Sequence, residues 1–326
     1  MHLSQQRLQQ ILGALWLIDG LLQVQQMFTP YLVYGIVMPA LQNQPAPVAA
    51  SLQWLIGVTQ PNLLLVNLLI AGVELAIGLS LLFGRWTRAS LIASVACALI
   101  AWYGSEGMGL LLTGGASILI GAPGAFLLYA LLGLATYPRR TARDTDERGL
   151  LTRVWLRWIL AGLWCLAGLL QLQPSWWVPG EISGSIGVMQ GGGGLNSVLV
   201  DPVLRALSSF TSPAPVEAPL NGILIILFLG LGIAIAAARG RWLRPWLVSS
   251  IAVSLVVWWG CEALGNTLTG MTTDVNTGPL FILTALACWP RTPLPRGVRD
   301  RSAVAVQHLA GAKLPPLAER AGLNGK

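Results

Sequence analysis

Charge is scarce in this chain of 326 residues: 10% are Asp, Glu, Lys or Arg, against 54% hydrophobic residues and a mean hydropathy of +0.66. Soluble domains carry about 25% charged residues, so the composition excludes an ordinary water-soluble fold. Histidine is rarer still. His2 and His308 are the only two, which excludes a bis-histidine haem between helices and leaves no histidine-based metal site. The four cysteines, Cys97, Cys165, Cys261 and Cys288, form no C-x-x-C pair; they read as small apolar filler. No G-x-G-x-x-G motif opens a dinucleotide site.

Long apolar runs are what the chain has in excess. A helix needs roughly 20 apolar residues to cross about 30 Å of hydrocarbon, and a membrane β-barrel would instead alternate in polarity. The runs are continuous, so the expected class is an all-α polytopic membrane protein of about eight spans. These are placed at Gln9–Phe28, Asn62–Phe83, Thr87–Trp102, Ser117–Tyr137, Val154–Gln173, Leu220–Ala238, Leu243–Trp259 and Val275–Trp289. The eighth is the shortest, and a tilted or re-entrant segment is an alternative there. Ser51–Thr59 and Val198–Ser209 read as short amphipathic helices on the outer surface.

The net charge of +7 is distributed as in membrane proteins, not as a nucleic-acid-binding patch. Nineteen of twenty Lys and Arg fall at the N-terminus, in the Arg85–Arg88 and Arg239–Arg244 turns, in the Arg139–Arg157 linker, or after Trp289. Basic loops stay cytoplasmic, which predicts both termini inside, in a bacterial cytoplasmic (inner) membrane. Asp19 interrupts the first apolar run and no small-residue cleavage site follows, so the run reads as a retained span and not a signal peptide. The expected organisation is a first four-helix unit (1–138), a basic linker (139–153), a second four-helix unit (154–290) and a disordered basic tail (291–326).

The two units read as copies. Leu15-Trp16-Leu17 to Gln25 recurs as Leu163-Trp164-Cys165 to Gln173, and Gly84-Arg85-Trp86-Thr87-Arg88 recurs as Gly240-Arg241-Trp242-Leu243-Arg244. Trp102-Tyr103-Gly104-Ser105-Glu106 returns as Trp258-Trp259-Gly260-Cys261-Glu262, and each copy then reaches Thr113-Gly114 or Thr269-Gly270. Each unit holds an even number of spans, so the copies point the same way, as parallel repeats about an axis normal to the membrane. They are unequal: Asp19 is matched by Ala167, and the loop after the fifth span is much longer.

The stretch from Val73-Glu74-Leu75 through Gly84-Arg85-Trp86-Thr87-Arg88 resembles the second-to-third helix turn of the DoxX/DoxD-like four-helix membrane proteins. The second half departs from that pattern, with Gly230 or a neighbour where the glutamate should stand. The resemblance implies a four-helix bundle per unit and, for some members, a subunit of a membrane redox complex. The only cofactor it suggests is a quinone.

Ionisable residues at bilayer depth cost roughly 2.5–3.5 kcal/mol on insertion scales and are functional candidates by default. Asp19 and Glu74 fall near the expected midplane. Trp16, Asp19, Gln23 and Gln26 share one helix face by their i, i+3, i+7, i+10 spacing. Two readings stand. In one, Asp19, Gln23, Gln26 and Glu74 form the floor of an outward-opening polar pocket, with Trp102, Glu106, Thr113, Trp258, Glu262, Thr269, Asp274 and Asn276 around its rim. In the other, the acids bond a neighbouring helix, Glu106 and Glu262 accept backbone N–H groups, and Thr272–Asn276 caps the last helix. The expected function is a quinone-facing or anchoring subunit of a membrane redox complex; a proton-coupled transporter or small-molecule-binding membrane protein, and a purely structural subunit, are the alternatives. The partners foreseen are the lipid bilayer and other protein subunits.

Overall fold

The computed structural model describes residues 3–25, 29–138, 149–191, 195–269 and 271–290. Gln26, most of the expected linker and the expected basic tail lie outside these residues. Among the described residues the chain is helical, without strands.

Thirteen α-helices follow in order: α1 (Gln5–Gln25), α2 (Met38–Leu41), α3 (Ala46–Thr59), α4 (Leu63–Phe83), α5 (Thr87–Gly104), α6 (Ala125–Thr136), α7 (Arg153–Leu170), α8 (Glu181–Val188), α9 (Asn196–Leu199), α10 (Asp201–Thr211), α11 (Ala214–Ala237), α12 (Leu243–Gly260) and α13 (Thr277–Ala287). A π-helical stretch, Leu32–Val37, leads into α2. Among the described residues, five helical segments are long and apolar enough to cross a membrane: Ala46–Phe83, Thr87–Gly104, Arg153–Leu170, Pro215–Ala237 and Gly240–Gly260. The protein is membrane-embedded, and the strongly exposed Leu69, Ile100, Ile226 and Val256 on these helices are the surface lipid would cover.

Helix α1 is as long but carries Gln5, Gln6, Arg7, Gln9, Gln10 and Asp19, which lowers its apolar content. Helices α6 and α13 differ from the expected Ser117–Tyr137 and Val275–Trp289: they are apolar but have 12 and 11 residues, about 18 and 17 Å of rise. The residues before α6 are also apolar, yet they run as turns and a 3-10 segment, Ile118–Ile120; those before α13 include the polar Thr272, Thr273, Asp274 and Asn276. The Ser51–Thr59 stretch differs too. It belongs to α3, which continues through Gln60–Asn62 into α4 as one apolar run.

Packing explains how short helices suffice. α1 lies along α4, α5 along α6, α7 along α11, and α12 along α13; α6 and α13 touch each other, and α13 also touches α7. Nine of the 12 residues of α6 and eight of the 11 of α13 are buried. A helix apolar on all sides belongs in a core. The longer helices shield these two from lipid, so the irregular backbone before each is covered by protein, where such backbone is tolerated. Below, the end of the bundle carrying the Arg85–Arg88 turn is the basic end and the end carrying Glu106 the acidic end.

Candidate functional site

The recurring Trp-x-x-x-Glu motif clamps the start of each short helix. Trp102 Nε1–H donates to the Pro123 carbonyl (2.7 Å), and Trp258 Nε1–H to that of Val275 (2.9 Å). Glu106 Oε1 accepts the Ala125 and Phe126 amides (2.7 and 3.3 Å). Glu262 accepts the Thr277 hydroxyl and the Gly278 amide (3.2 Å to the latter). The first amides of a helix have no partner within it and carry the positive end of its dipole, so a buried carboxylate there is well used. Gly109 and Gly265 are left-handed, at φ 63° and 66°, and a Cβ at Gly109 would lie 2.0 Å from the Pro123 carbonyl oxygen; the motif's second glycine is required by that approach. Thr113 and Thr269 close the turns, accepting the Gly115 and Met271 amides (3.2 and 2.9 Å).

A second constellation lies in the first bundle. Trp16 Nε1–H donates to Ser94 Oγ (2.8 Å) and its ring meets Tyr129 at 4.8 Å. One turn along, Asp19 is fully buried. The Tyr129 hydroxyl and the Val275 N–H are turned toward it without completing a hydrogen bond of normal geometry, leaving both carboxyl oxygens and the hydroxyl unpartnered. Glu74 is 5% exposed and its Oε2 is likewise without a partner. Gln23 Nε2–H donates to Asn67 Oδ1 (2.8 Å).

Glu74, Gln23 and Thr273 are the polar floor of a cavity of about 370 Å³ whose other walls are mainly apolar, among them Val66, Leu69, Ile100 and Phe126. Leu69 and Ile100 are 59% and 72% exposed, so the cavity opens sideways between α4 and α5. Asp19 lies behind this floor and does not line it. Glu106, Asp274 and Asn276 line a separate recess of about 260 Å³ at the acidic end. Asp274 lies deep under the surrounding chain, yet part of its surface is reached through this recess. Burial lifts its carboxyl above the usual range, opposed by the Asn276 amide (2.7 Å) and the Thr273 hydroxyl. The Glu106 carboxyl is raised by burial and by Asp274, against its two helix amides.

The residues expected around one polar pocket are thus divided. Glu74 and Gln23 face the lateral cavity, and Glu106, Asp274 and Asn276 face the recess. Trp102, Thr113, Trp258, Glu262 and Thr269 line neither and are engaged in the clamps. Asn276 also caps α13, accepting the Thr277 amide (2.7 Å).

Close helix contacts set the second bundle's register. A Cβ at Gly20 would meet Leu75 and one at Gly168 would meet Leu229, at 3.0 Å from the backbone nitrogen in both; Gly78 meets Leu17 as Gly232 meets Cys165. Glu74, which precedes Leu75, therefore corresponds to Phe228, not to Gly230. Trp164 keeps its bond to Ser250 (2.8 Å), but its ring packs on Phe228 (5.6 Å) and Phe281 (5.1 Å). Where the first bundle holds Asp19, Glu74 and Tyr129, the second holds Ala167, Phe228 and Phe281. Tyr129 was not foreseen from sequence. Aligning the two halves on Glu106 and Glu262 pairs it with Ala285; only the helix starts, Ala125 of α6 and Thr277 of α13, set it opposite Phe281.

No protein-family model, curated protein or solved structure matches the chain.

Proposed function

We propose that this is an eight-helix protein of two parallel four-helix repeats, both ends cytoplasmic, whose first repeat binds an amphiphilic, lipid-soluble molecule in the lateral cavity. A quinone is the ligand class that best combines an apolar body with acceptors for a neutral carboxyl group, and it agrees with the DoxX/DoxD-like resemblance. The protein is then the quinone-facing membrane subunit of a redox assembly, any electron carrier being the quinone or a partner's group. The carrying observation is an unpartnered, buried Glu74 oxygen at the floor of an apolar cavity that opens between α4 and α5. Burying an unsatisfied carboxyl group costs several kcal/mol, a cost a ligand's polar head would remove. The duplication reading is supported by the matched Trp–Ser bonds and the matched clamps.

The test copies the second bundle into the first. Glu74→Phe should pack on Trp16 as Phe228 packs on Trp164. Solvent extraction of the purified protein followed by mass spectrometry should find a stoichiometric hydrophobic ligand in the wild type. In Glu74→Phe it should fall to background while the protein stays folded. An empty wild type, or undiminished ligand in the variant, refutes the reading.

A further inference from the structure

We propose that Asp274 is the proton port of the lateral cavity: Glu74 exchanges protons with the aqueous phase at the acidic end, through Asp19 and Asp274. The proposal rests on the lateral-cavity reading and adds a direction and a route to it.

The route follows from one short segment shared by both spaces. Thr273 lines the lateral cavity beside Glu74. Asp274 and Asn276 line the recess at the acidic end. Val275, between them, turns its N–H toward Asp19. The wall between the lipid-side cavity and the recess is therefore Thr273–Asn276, with carboxyl groups on both of its sides. Asp19 supplies the group between them: it is fully buried, with the Tyr129 hydroxyl and the Val275 N–H approaching its carboxyl group.

The groups facing these acids are all acids or weak acids. Asp19 feels Asp274, Glu74 and Tyr129; Glu74 feels Asp274 and in turn acts on Cys97; Asp274 acts on Glu106, Glu262 and Tyr31. Among the described residues no Lys or Arg acts on them, so no fixed cation there traps a proton-deficient carboxylate on the way. Each transfer moves one proton from a carboxylic acid to the next carboxylate, ending in water in the recess; no electron moves and no bond other than O–H changes. In the second bundle Ala167, Phe228 and Phe281 occupy the corresponding places.

The experiment is hydrogen–deuterium exchange of the Glu74 carboxyl group, read by infrared difference spectroscopy on the full chain in lipid nanodiscs perfused from H2O to D2O. The Glu74 C=O band is assigned by its loss in Glu74→Gln. Asp274→Asn should slow its exchange by about tenfold or more, and Asp274→Glu should restore it. Asp19→Asn removes the middle carboxyl while leaving the residues of the Thr273–Asn276 segment unchanged and should slow exchange likewise, which keeps the test decisive if Asp274→Asn does not fold. Exchange at the wild-type rate in either asparagine variant overturns the route, as does a Glu74 band that never exchanges, or no such band at any pH where the protein stays folded. Ligand content separates the two readings. Wild-type exchange in an Asp274→Asn protein that still carries its ligand removes the route and keeps the cavity; slowed exchange in a protein that never held ligand removes the cavity and keeps the route.

Discussion

Glu262 shows how a buried carboxyl couples this fold to pH. Desolvation lifts its pKa from 4.5 to about 7, against the Thr277 hydroxyl and the Gly278 amide that favour the charged form. A carboxyl group raised on folding stabilises the native state fully below the unfolded value and loses that contribution as pH rises through the folded one. The window is therefore pH 4.5 to about 7, and the limiting effect is about 3 kcal/mol. Melting temperature in detergent should fall across this window and level off above it. Glu262→Gln keeps an acceptor for Thr277 and should flatten the curve; an unchanged slope would show that another group titrates.

At the scale of elements, the short helices depend on their clamps. Glu106→Ala removes the acceptor of two α6 amides and should cost about 1–2 kcal/mol, as loss of a helix cap does, whereas Glu106→Gln should cost less than half as much. Denaturation monitored by helical circular dichroism distinguishes these outcomes, and equal losses would mean that charge, not capping, is the function of Glu106. The clamp was half legible in the sequence. The Trp-x-x-x-Glu spacing and the accepting role of the glutamates are readable because the motif occurs twice. The start of α6 at Ala125 is not, because Ser117–Pro123 is as apolar as a span and hydropathy is blind to backbone conformation. Tyr129 was hidden for a similar reason: a lone tyrosine in an apolar run gives no signal until its neighbours in space are known. Asp274 was readable as capping chemistry, but its approach to Asp19 is a contact between segments more than 250 positions apart, and no local pattern encodes it.

For the molecule as a whole, the charge map and the fold make one joint statement. If both basic turns face the cytoplasm, cysteines introduced at Arg88 and Arg244 should react with a membrane-impermeant maleimide only after the membrane is opened, and cysteines at Gln60 and Ser209 should react in intact cells. Labelling of Arg88 and Arg244 on opposite sides would refute the parallel arrangement. The exposed tryptophans agree with an interfacial belt: Trp86, Trp155, Trp158 and Trp242 lie toward the basic end and Trp54, Trp177 and Trp259 toward the acidic end, each more than 40% exposed. Buried Trp16 and Trp164, by contrast, hold the bundle interiors.

The segment before α13 bears Asp274 but belongs to the second half, whereas Asp19, Glu74 and Tyr129 belong to the first. In two separate, identical copies of the first half, the facing segment would offer Ala122 where Asp274 now stands; in two copies of the second, the acid would meet Ala167 and Phe228. Only the mixed pair brings all four groups together, and joining the halves in one chain guarantees that every molecule is such a pair. On the lateral-cavity proposal the stoichiometry is one ligand per polypeptide, and co-expression of the two halves as separate chains should restore a site that neither forms alone.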